Sequence, residues 1–160
     1  MHRLLVAALA LTALVSTPPV VAEEQTEART FVLHHIQSRG AATIVRTIVG
    51  IPHLAIKDEH TLELTDTRAR LELTAELLTA LDVEEIAPTK SLPTDDDSVI
   101  AIIPLQGASS KDVTQTMLEL KIRRSATVAE PPVAVVLRDT PEQVALAKEA
   151  LDKAHGQQQD

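Results

Sequence analysis

Apolar residues along the chain follow two spacings, short runs typical of strands and stripes typical of amphipathic helices. The run over residues 31–36 predicts a strand. Downstream of it, apolar side chains recur at i, i+3, i+4 and i+7, which places them on one face of a helix. The members of this stripe are Ala41, Ile44, Val45 and Ile48. Gly50 and Pro52 then predict the end of this first helix.

The same order of elements occurs a second time along the chain. Residues 31–49 align with residues 100–118, and in both copies an Asp-Thr pair later separates a short strand from an amphipathic helix. The pair is Asp66-Thr67 in the first copy and Asp139-Thr140 in the second. This internal repeat predicts an α/β chain of the α+β type, built from two tandem β-α-β-β-α modules. Each module is expected to be a three-stranded sheet with two helices packed on it.

Each copy also contains a predicted hairpin. Residues 53–56 and 62–64 form it in the first copy, and residues 125–129 and 133–137 form it in the second. The alignment offset changes from 69 before the hairpin to 73 after it, so the second copy has extra residues at the tip. Loop length at a surface tip changes stability little, so the repeat interpretation stands.

The repeat and the composition between its copies predict the domain boundaries. The first module is placed at residues 29–82 and the second at residues 98–155. Residues 83–97 contain two prolines and three consecutive aspartates, and we interpret them as a solvated linker. Residues 156–160 are expected to form a disordered tail.

Residues 1–22 have the order of a secretory signal peptide. A basic start with Arg3 precedes an apolar run over residues 4–15, and small side chains lead to Ala22, the predicted cleavage site. The run is short for a membrane-spanning helix, so an uncleaved anchor is the weaker alternative. We expect an exported, periplasmic protein that does not insert into the membrane after cleavage. The chain has no cysteine, so neither disulfides nor lipid attachment at the cleavage site is expected.

Charge and aromatic content narrow the classes of partner. The chain has a net charge of -8, and the expected mature form, with 14 Lys and Arg against 23 Asp and Glu, has a charge of -9. Such an acidic protein is a poor match for nucleic acid or for an anionic membrane surface. One phenylalanine, with no tryptophan or tyrosine, leaves no stacking platform for single-stranded nucleic acid. Nucleic acid and anionic membrane surfaces are therefore not expected as partners.

The recurring Asp-Thr pairs have a structural interpretation. Asp66 and Thr67 directly precede one predicted helix, and Asp139 and Thr140 precede another. Side-chain oxygens at such positions accept hydrogen bonds from the free N–H groups of the first helical turn. After Thr140, a proline at the first helical position and Gln143 predict a capping box. We interpret the four residues as structural helix caps, and we expect no catalytic residue and no cofactor.

Histidines are the main candidates for metal binding. His34 and His35 are adjacent in a predicted strand, so their side chains point to opposite faces. His53 and His60 flank a predicted hairpin and are weak candidates for a surface metal site. Their spacing matches no closed tetrahedral site, so solvent-facing histidines are the favoured interpretation. The aspartate run at residues 95–97 lacks the alternating ligands and the glycine of a calcium loop.

The order of elements resembles the small N-terminal periplasmic domains of secretins, the outer-membrane channels of type II and type III secretion and of type IV pilus systems. Residues 29–36 resemble the opening strand of that family, residues 62–67 its final strand and turn, and residues 76–82 its closing helix. The second copy has the same frame more loosely, in residues 103–105, 137–141 and 150–152. The Gly-rich pore domain of a secretin has no counterpart in these residues. The resemblance therefore implies a role in scaffolding and assembly beside a larger channel.

These observations lead to one expected function and one alternative. We expect a non-enzymatic periplasmic scaffold that assembles with itself or with an envelope secretion or pilus apparatus, and that associates with the outer membrane through such partners. The expected contact is a helix face of one module against the sheet face of another, and strand addition at an open sheet edge is a second route. The alternative is a periplasmic small-ligand or metal-binding protein that uses the His53/His60 hairpin or the cleft between the modules.

Overall fold

The computed structural model describes residues 25–86, 90–105, 110–122, 124–129 and 133–156. Over these ranges the chain has the predicted α+β fold, with four α-helices and two antiparallel sheets. The predicted signal peptide at residues 1–22 lies outside the described residues, as do residues 157–160 of the predicted tail. In the described ranges, none of the helices has both the length and the apolar character needed to cross a membrane.

The first sheet has three strands, β1 (Thr26–Val32), β2 (His53–Ile56) and β3 (Thr61–Thr67), in the order β1-β3-β2. Its antiparallel register places Phe31 on one side of Leu62 and Ile56 on the other. Along β3, Leu62 and Leu64 are buried whereas Glu63 is half-buried. This alternation is typical of a sheet that has one covered face.

Two helices cover the inner face of this sheet. Helix α1 (Ser38–Ile44) continues as a π-helical turn, Val45–Val49, and helix α2 spans Arg68–Leu81. The π-helical turn closes with a 2.9 Å hydrogen bond from the Gly50 N–H to the Val45 carbonyl oxygen. Gly50 has a φ of 85°, a left-handed conformation that is accessible to glycine without steric strain. The first helix therefore ends at Gly50, as predicted, because this glycine adopts the left-handed backbone conformation.

The second sheet has four strands, where the sequence predicted three. They are β4 (Lys90–Pro93), β5 (Val99–Pro104), β6 (Arg124–Val128) and β7 (Ala134–Asp139), in the order β4-β5-β7-β6. Helices α3 (Ser110–Glu119) and α4 (Pro141–Gly156) complete the described elements. The expectation of a three-stranded second sheet is therefore corrected by the addition of β4.

Strand β4 lies within residues 83–97, the segment that the sequence predicted to be a solvated linker. It pairs antiparallel with β5, and Leu92 is buried opposite Ile100. Pro93 is compatible with this pairing because β4 is an edge strand, where a missing N–H need not remove a ladder hydrogen bond. The prolines and aspartates of this segment indicated a linker, but the burial of Leu92 places part of it in the sheet.

Helices α1 and α2 lie between the two sheets. A continuous apolar core joins Leu64 of the first sheet and Ile44 of α1 to Ile102 and Val136 of the second sheet. The opposite face of the second sheet, which includes Ile103, packs against α3 and α4. The order of layers is therefore sheet, helices, sheet, helices.

Strand β1 begins and ends earlier than the sequence predicts. The predicted strand covers residues 31–36, whereas residues 33–36 form a loop after β1. The Asp82 carboxylate, at the end of α2, holds this loop through hydrogen bonds of 2.6 to 3.2 Å. The donors are the backbone N–H groups of His34, His35 and Ile36. Because these N–H groups bind a carboxylate, they are not free to pair with a neighbouring strand.

Candidate protein-interaction surface

Strand β6 forms one margin of the second sheet. Its inner edge pairs with β7 from Arg124, opposite Arg138, to Val128, opposite Ala134. No other strand in the described ranges pairs with its outer edge. In an antiparallel ladder, alternate residues direct their N–H and C=O groups away from the partner strand. The outer edge of β6 therefore presents unpaired backbone donors and acceptors.

A groove of about 400 Å³, named the α1 groove, lies between α1 and the end of β6. Helix α1 contributes Arg39, Ala41 and Ile44 to its lining, and β6 contributes Thr127 and Val128. Ala41, Ile44 and Val128 are buried, whereas Arg39 is exposed. The groove therefore has an apolar floor and a cationic rim.

A second groove of about 230 Å³, named the α3 groove, lies between α3 and β6. Its lining includes Met117 and Leu118 of α3, together with Ser125 and Thr127 of β6. Leu118 is 69% exposed, the largest exposed fraction of any large apolar side chain in the described part of the chain. An apolar wall beside the strand therefore remains in contact with water.

The two grooves flank a single free strand edge. Successive side chains of an extended segment point to opposite sides, so a segment lying along β6 would direct them alternately toward the α1 groove and the α3 groove. Segments that add a strand to a sheet bind through their backbone, and pockets for alternate side chains give specificity. The arrangement therefore suits an extended segment of another protein.

Other sheet margins in the described ranges are less suited to strand addition. Strand β4 is short and ends in Pro93. Strand β1 carries the charged residues Glu27 and Arg29, and β2 borders a cavity lined in part by Asp58 and Glu59. Short strands, prolines and charged side chains are common means of protecting a sheet edge. Strand β6 is also short and begins at Arg124, but a groove lies on each side of it.

Basic residues surround the β6 edge in an otherwise acidic protein. Arg124 begins β6, Lys121 precedes it by three residues, and Arg39 lines the α1 groove. All three side chains are exposed, and none forms an ion pair with a carboxylate in the described ranges. Arg39 also lines a cavity with Asp58 and Glu59, and Arg124 lines one with Asp96 and Asp139, but neither arginine is within ion-pair distance of these carboxylates.

Lys121 adopts a conformation that favours glycine. Its φ is 56°, and it is the single non-glycine residue with positive φ in the described ranges. The Ile122 N–H donates to the Met117 carbonyl at 3.0 Å, and the Lys121 N–H donates to the Leu118 carbonyl at 3.1 Å. These two bonds form the Schellman motif that ends α3. A residue with a Cβ atom is strained at this position, so a lysine here costs local stability.

The four predicted cap residues lie at the starts of α2 and α4. Thr140 Oγ1 accepts a hydrogen bond from the Gln143 N–H at 3.4 Å, as an N-cap does. Thr67 occupies the N-cap position of α2 but makes no side-chain cap hydrogen bond. Asp66 and Asp139 each accept a hydrogen bond from the N–H of the following residue, at 2.8 and 2.9 Å. The two aspartates therefore stabilise the backbone just before each helix.

The predicted capping box of α4 forms only in part. Its second hydrogen bond requires Gln143 to accept the Thr140 N–H, but Asp139 Oδ1 accepts that N–H instead. Gln143 Oε1 is buried and has no hydrogen-bond partner in the described part of the chain. Asp139 thus takes the role that the sequence pattern assigned to Gln143.

The structure separates the two histidines proposed as metal ligands. His53 lies in β2 opposite Thr65, whereas His60 ends the turn before β3. With several strand residues between them, their backbones lie more than roughly 10 Å apart along the hairpin. Among the described residues, no group of three or more His, Cys, Asp or Glu side chains is placed to hold a metal ion.

Asp82 has a structural role that no local sequence pattern predicts. Burial of its carboxyl opposes ionisation, but hydrogen bonds from the backbone N–H groups of His35, His34 and Ile36 outweigh burial and lower the pKa of Asp82. His34 Nδ1 also lies 3.3 Å from Asp82 Oδ2. The corresponding Leu-Asp in the second copy ends in Asp152, which is exposed within α4. A Leu-Asp pair alone therefore does not predict this contact.

A second polar cluster forms around Arg138 and joins the two halves of the chain. Its guanidinium donates hydrogen bonds to Ser98 Oγ at 2.9 Å, to Asp96 Oδ2 at 3.0 Å and to the Ile48 carbonyl oxygen at 3.3 Å. Hydrogen bonds from Ser98, Thr94 and Arg138 hold the pKa of Asp96 well below its usual range. Asp96, part of the acidic run predicted to be solvated, therefore has a structural role.

The cleft between the two halves, the other expected ligand site, lies beside this cluster. The cavity there has a volume of about 220 Å³, and its lining includes Val49, Arg70, Leu73 and Arg138. The Arg138 guanidinium already has three protein partners. A ligand in this cavity would therefore compete with bonds that hold the fold together.

A comparison of the chain with models of known protein families and with curated proteins finds no match. Function is therefore inferred from the residues and from the geometry of the β6 edge.

Proposed function

We propose that this protein is a non-enzymatic periplasmic scaffold that binds other proteins, either copies of itself or components of an envelope secretion or pilus apparatus. The observation that carries the proposal is the free outer edge of β6 between the α1 groove and the α3 groove. Backbone groups without partners and adjacent pockets are the two requirements for binding by strand addition.

Features of the sequence support the cellular setting in this proposal. The signal-like residues 1–22 favour export to the periplasm. The order of elements resembles the periplasmic domains of secretins, which favours assembly near an outer-membrane channel. Association with the outer membrane would then depend on the partner.

The lowered pKa values of three described aspartates have causes within the fold, as the scaffold proposal expects. The pKa of Asp82 and that of Asp96 are both lowered, and the bonds responsible come from backbone N–H groups, hydroxyls and Arg138. A backbone hydrogen bond from His60 likewise lowers the pKa of Asp58. Each of these carboxylates thus has partners within the fold that account for its shift.

The test combines oligomer analysis with partner capture. The chain without residues 1–22 is tagged at its C-terminus, analysed by size-exclusion chromatography with light scattering, and used as bait in envelope extracts. Ala126→Pro and Thr127→Pro are prepared in parallel. Adjacent strand residues direct their N–H groups to opposite sides, so one proline removes an outward N–H and the other removes a bond to β7. We expect the variant that lacks the outward N–H to remain folded and to lose the partner or oligomer. We expect the variant that lacks a bond to β7 to melt at a lower temperature.

A matched control lies outside the β6 edge. Leu146 of α4 is 48% exposed, and Leu146→Ser removes an exposed apolar side chain there. We expect this variant to bind as the unaltered protein does. A strict monomer that captures no envelope protein contradicts the proposal. Binding that persists in both proline variants while they remain folded shows that β6 is not the contact.

A further inference from the structure

We infer that the outer edge of β6 accepts an extended acidic segment of a partner protein, which adds to the second sheet as a fifth strand. This inference rests on the proposed function and specifies the chemistry of the partner at the same site. It depends on the geometry of the edge, on the two grooves and on the basic residues around them.

No described strand pairs with the outer edge of β6. Strand β6 has 5 residues, and its neighbour β7 occupies the other side. An added strand would lie about 4.8 Å from β6 and would take up its unpaired N–H and C=O groups. The resulting order would be β4-β5-β7-β6 followed by the partner strand.

The two grooves set different requirements on alternate side chains of the added strand. The α1 groove, at about 400 Å³, is lined by Ile44 and Val128 and has room for a large aliphatic side chain. The α3 groove, at about 230 Å³, lies against Met117 and Leu118 and suits a smaller apolar side chain. We therefore expect apolar residues at successive positions that face the two grooves in turn.

The charges around β6 favour carboxylates on the partner. Arg39, Lys121 and Arg124 are exposed and have no ion-pair partner among the described residues. Arg124 begins β6 and Lys121 lies three residues before it, in the turn that ends α3, so acidic residues are expected at the end of the partner segment nearest Arg124. Complementary charge at the rim of an interface raises the association rate and fixes the register.

A second copy of this chain fits the charges less well. If two β6 strands paired antiparallel about a two-fold axis, Arg124 of each copy would lie near the Val128 end of the other, and the cations would stay unpaired. Parallel pairing would place like charges side by side, which is destabilising. The net charge of -8 adds a general repulsion between copies. An acidic segment of a different protein is therefore the favoured occupant.

The backbone at Lys121 gives independent support. Its φ of 56° favours glycine, yet the residue at this position is a lysine with an exposed side chain. A basic side chain is thus present at the start of the edge where the local conformation disfavours any side chain.

The test is selection from a peptide library. Displayed random peptides of roughly seven residues, long enough to lie along β6, are selected on the immobilised chain without residues 1–22. We expect enrichment of peptides with Asp or Glu at one end followed by alternating apolar residues. The strongest peptide is then synthesised, and its affinity for variants is measured by fluorescence anisotropy at low and high salt. We expect the double variant Lys121→Glu, Arg124→Glu to bind it at least about tenfold more weakly.

Two variants control for charge and for the strand edge. Lys148→Glu reverses the charge of an exposed residue in α4 and should leave the affinity unchanged. The folded member of the Ala126→Pro and Thr127→Pro pair should lose binding. The inference is overturned if no peptide is enriched, if the enriched peptides lack acidic residues, or if their selection survives the double charge reversal. An oligomer that forms through β6 would also overturn it, in favour of a second copy.

These outcomes are separable from those of the proposed function. An envelope protein captured through β6 without any preference for acidic peptides leaves the scaffold function in place and removes the acidic partner. If neither an envelope protein nor a peptide binds, both proposals fail.

Discussion

The two sheets have the same three-strand arrangement, β1-β3-β2 in the first and β5-β7-β6 in the second, but their faces differ. On the first sheet, Thr30 pairs with Glu63 on the face turned away from the helices. On the second, Ile102 pairs with Val136, and both are buried under the helices of the first half. The first sheet thus has one covered face, and the second has two.

This difference explains how the layers are arranged and where they stop. Helices α1 and α2 bury apolar side chains toward both sheets, so the second sheet completes a core that the first sheet alone leaves open. The exposed face of the first sheet carries Thr30 and Glu63 and does not offer a similar apolar surface. Another copy of the chain therefore cannot pack its apolar surface on the exposed face of the first sheet in the same way. Sheet edges remain as contact sites.

The strongest test of this comparison replaces Val136 of the second sheet by glutamate, the residue at the corresponding position 63 of the first sheet. Val136→Glu places a carboxylate in the core between helices and sheet, where Val136 is 0% exposed. An unpaired buried charge costs about 4 kcal/mol, a large part of the stability of a small domain. We expect urea denaturation to show a variant that is unfolded or close to it.

The reverse change is its matched control. Glu63 lies on the open face and forms an exposed ion pair with Lys57 at 3.1 Å. We expect Glu63→Val to change the free energy of unfolding by less than about 0.5 kcal/mol. Equal effects of the two substitutions would show that the two faces are not different environments.

The ends of α2 and α4 offer a second comparison. Asp82 accepts three backbone N–H groups after α2, whereas Asp152 is exposed in α4. We expect Asp82→Ala to lower the free energy of unfolding by about 3 kcal/mol because it removes a charged acceptor for the loop. Asp152→Ala should lie within about 0.5 kcal/mol of the unaltered protein. A loss of similar size in both variants would contradict the role given to Asp82.

The Asp82 contact also predicts a pH dependence. The pKa of Asp82 is lowered in the folded state, so its contribution is fully present above its ordinary value of 3.8. The contribution is lost as the pH falls below that value and through the folded pKa. Acid titration of unfolding should therefore show a smaller loss of stability in Asp82→Ala than in the unaltered protein, with the difference confined to the acidic range.

The residues that directly precede the repeated Asp-Thr pair, in β3 and in β7, give a third comparison. Thr65 of the first sheet is half-buried, whereas Arg138 of the second bridges to Ser98, Asp96 and the Ile48 carbonyl. We expect Arg138→Leu to destabilise the fold by about 2 kcal/mol, since a charged donor to several partners is lost. Arg70→Ala, which removes an exposed guanidinium 3.5 Å from Asp66, should cost about 0.5 kcal/mol at most. Equal losses would show that Arg138 does not join the two halves.

The parts of the fold that could be predicted are those that the spacing of apolar residues along the chain indicates. The stripe that contains Ile44 and Ile48 predicts a helix face, and both side chains are buried. The two covered faces of the second sheet also have a local signal, since residues 99–103 are continuously apolar whereas residues 61–65 alternate. Continuous apolar strands indicate burial on both faces. Strand β4 has no comparable signal, because one buried leucine is all that distinguishes it from a linker.

The candidate site was less predictable because it depends on strand order. The sequence predicts a strand at residues 125–129, close to the observed β6, but pairing between distant segments decides which edge of that strand stays open. The α1 groove likewise joins Ile44 to Thr127 and Val128, far apart in the chain. The basic residues at 121–124 are visible in the sequence, yet their relation to a free edge is not. The contact of Asp82 is not visible in local sequence for the same reason, since its partners lie 46 to 48 residues earlier in the chain.

The smallest expected change in the free energy of unfolding concerns the two helix ends with positive φ. At one of them, stability and binding should change in opposite directions. The first half ends its helix at Gly50, with a φ of 85°, and the second ends α3 at Lys121, with a φ of 56°. Because glycine adopts this conformation without a Cβ penalty, we expect Lys121→Gly to raise the free energy of unfolding by about 1 kcal/mol. Gly50→Ala should lower it by a similar amount, about 1 kcal/mol. If the lysine serves the β6 edge, Lys121→Gly will also bind the acidic peptide more weakly while being the more stable protein. A variant that gains stability and keeps its affinity would show that Lys121 has no part in recognition.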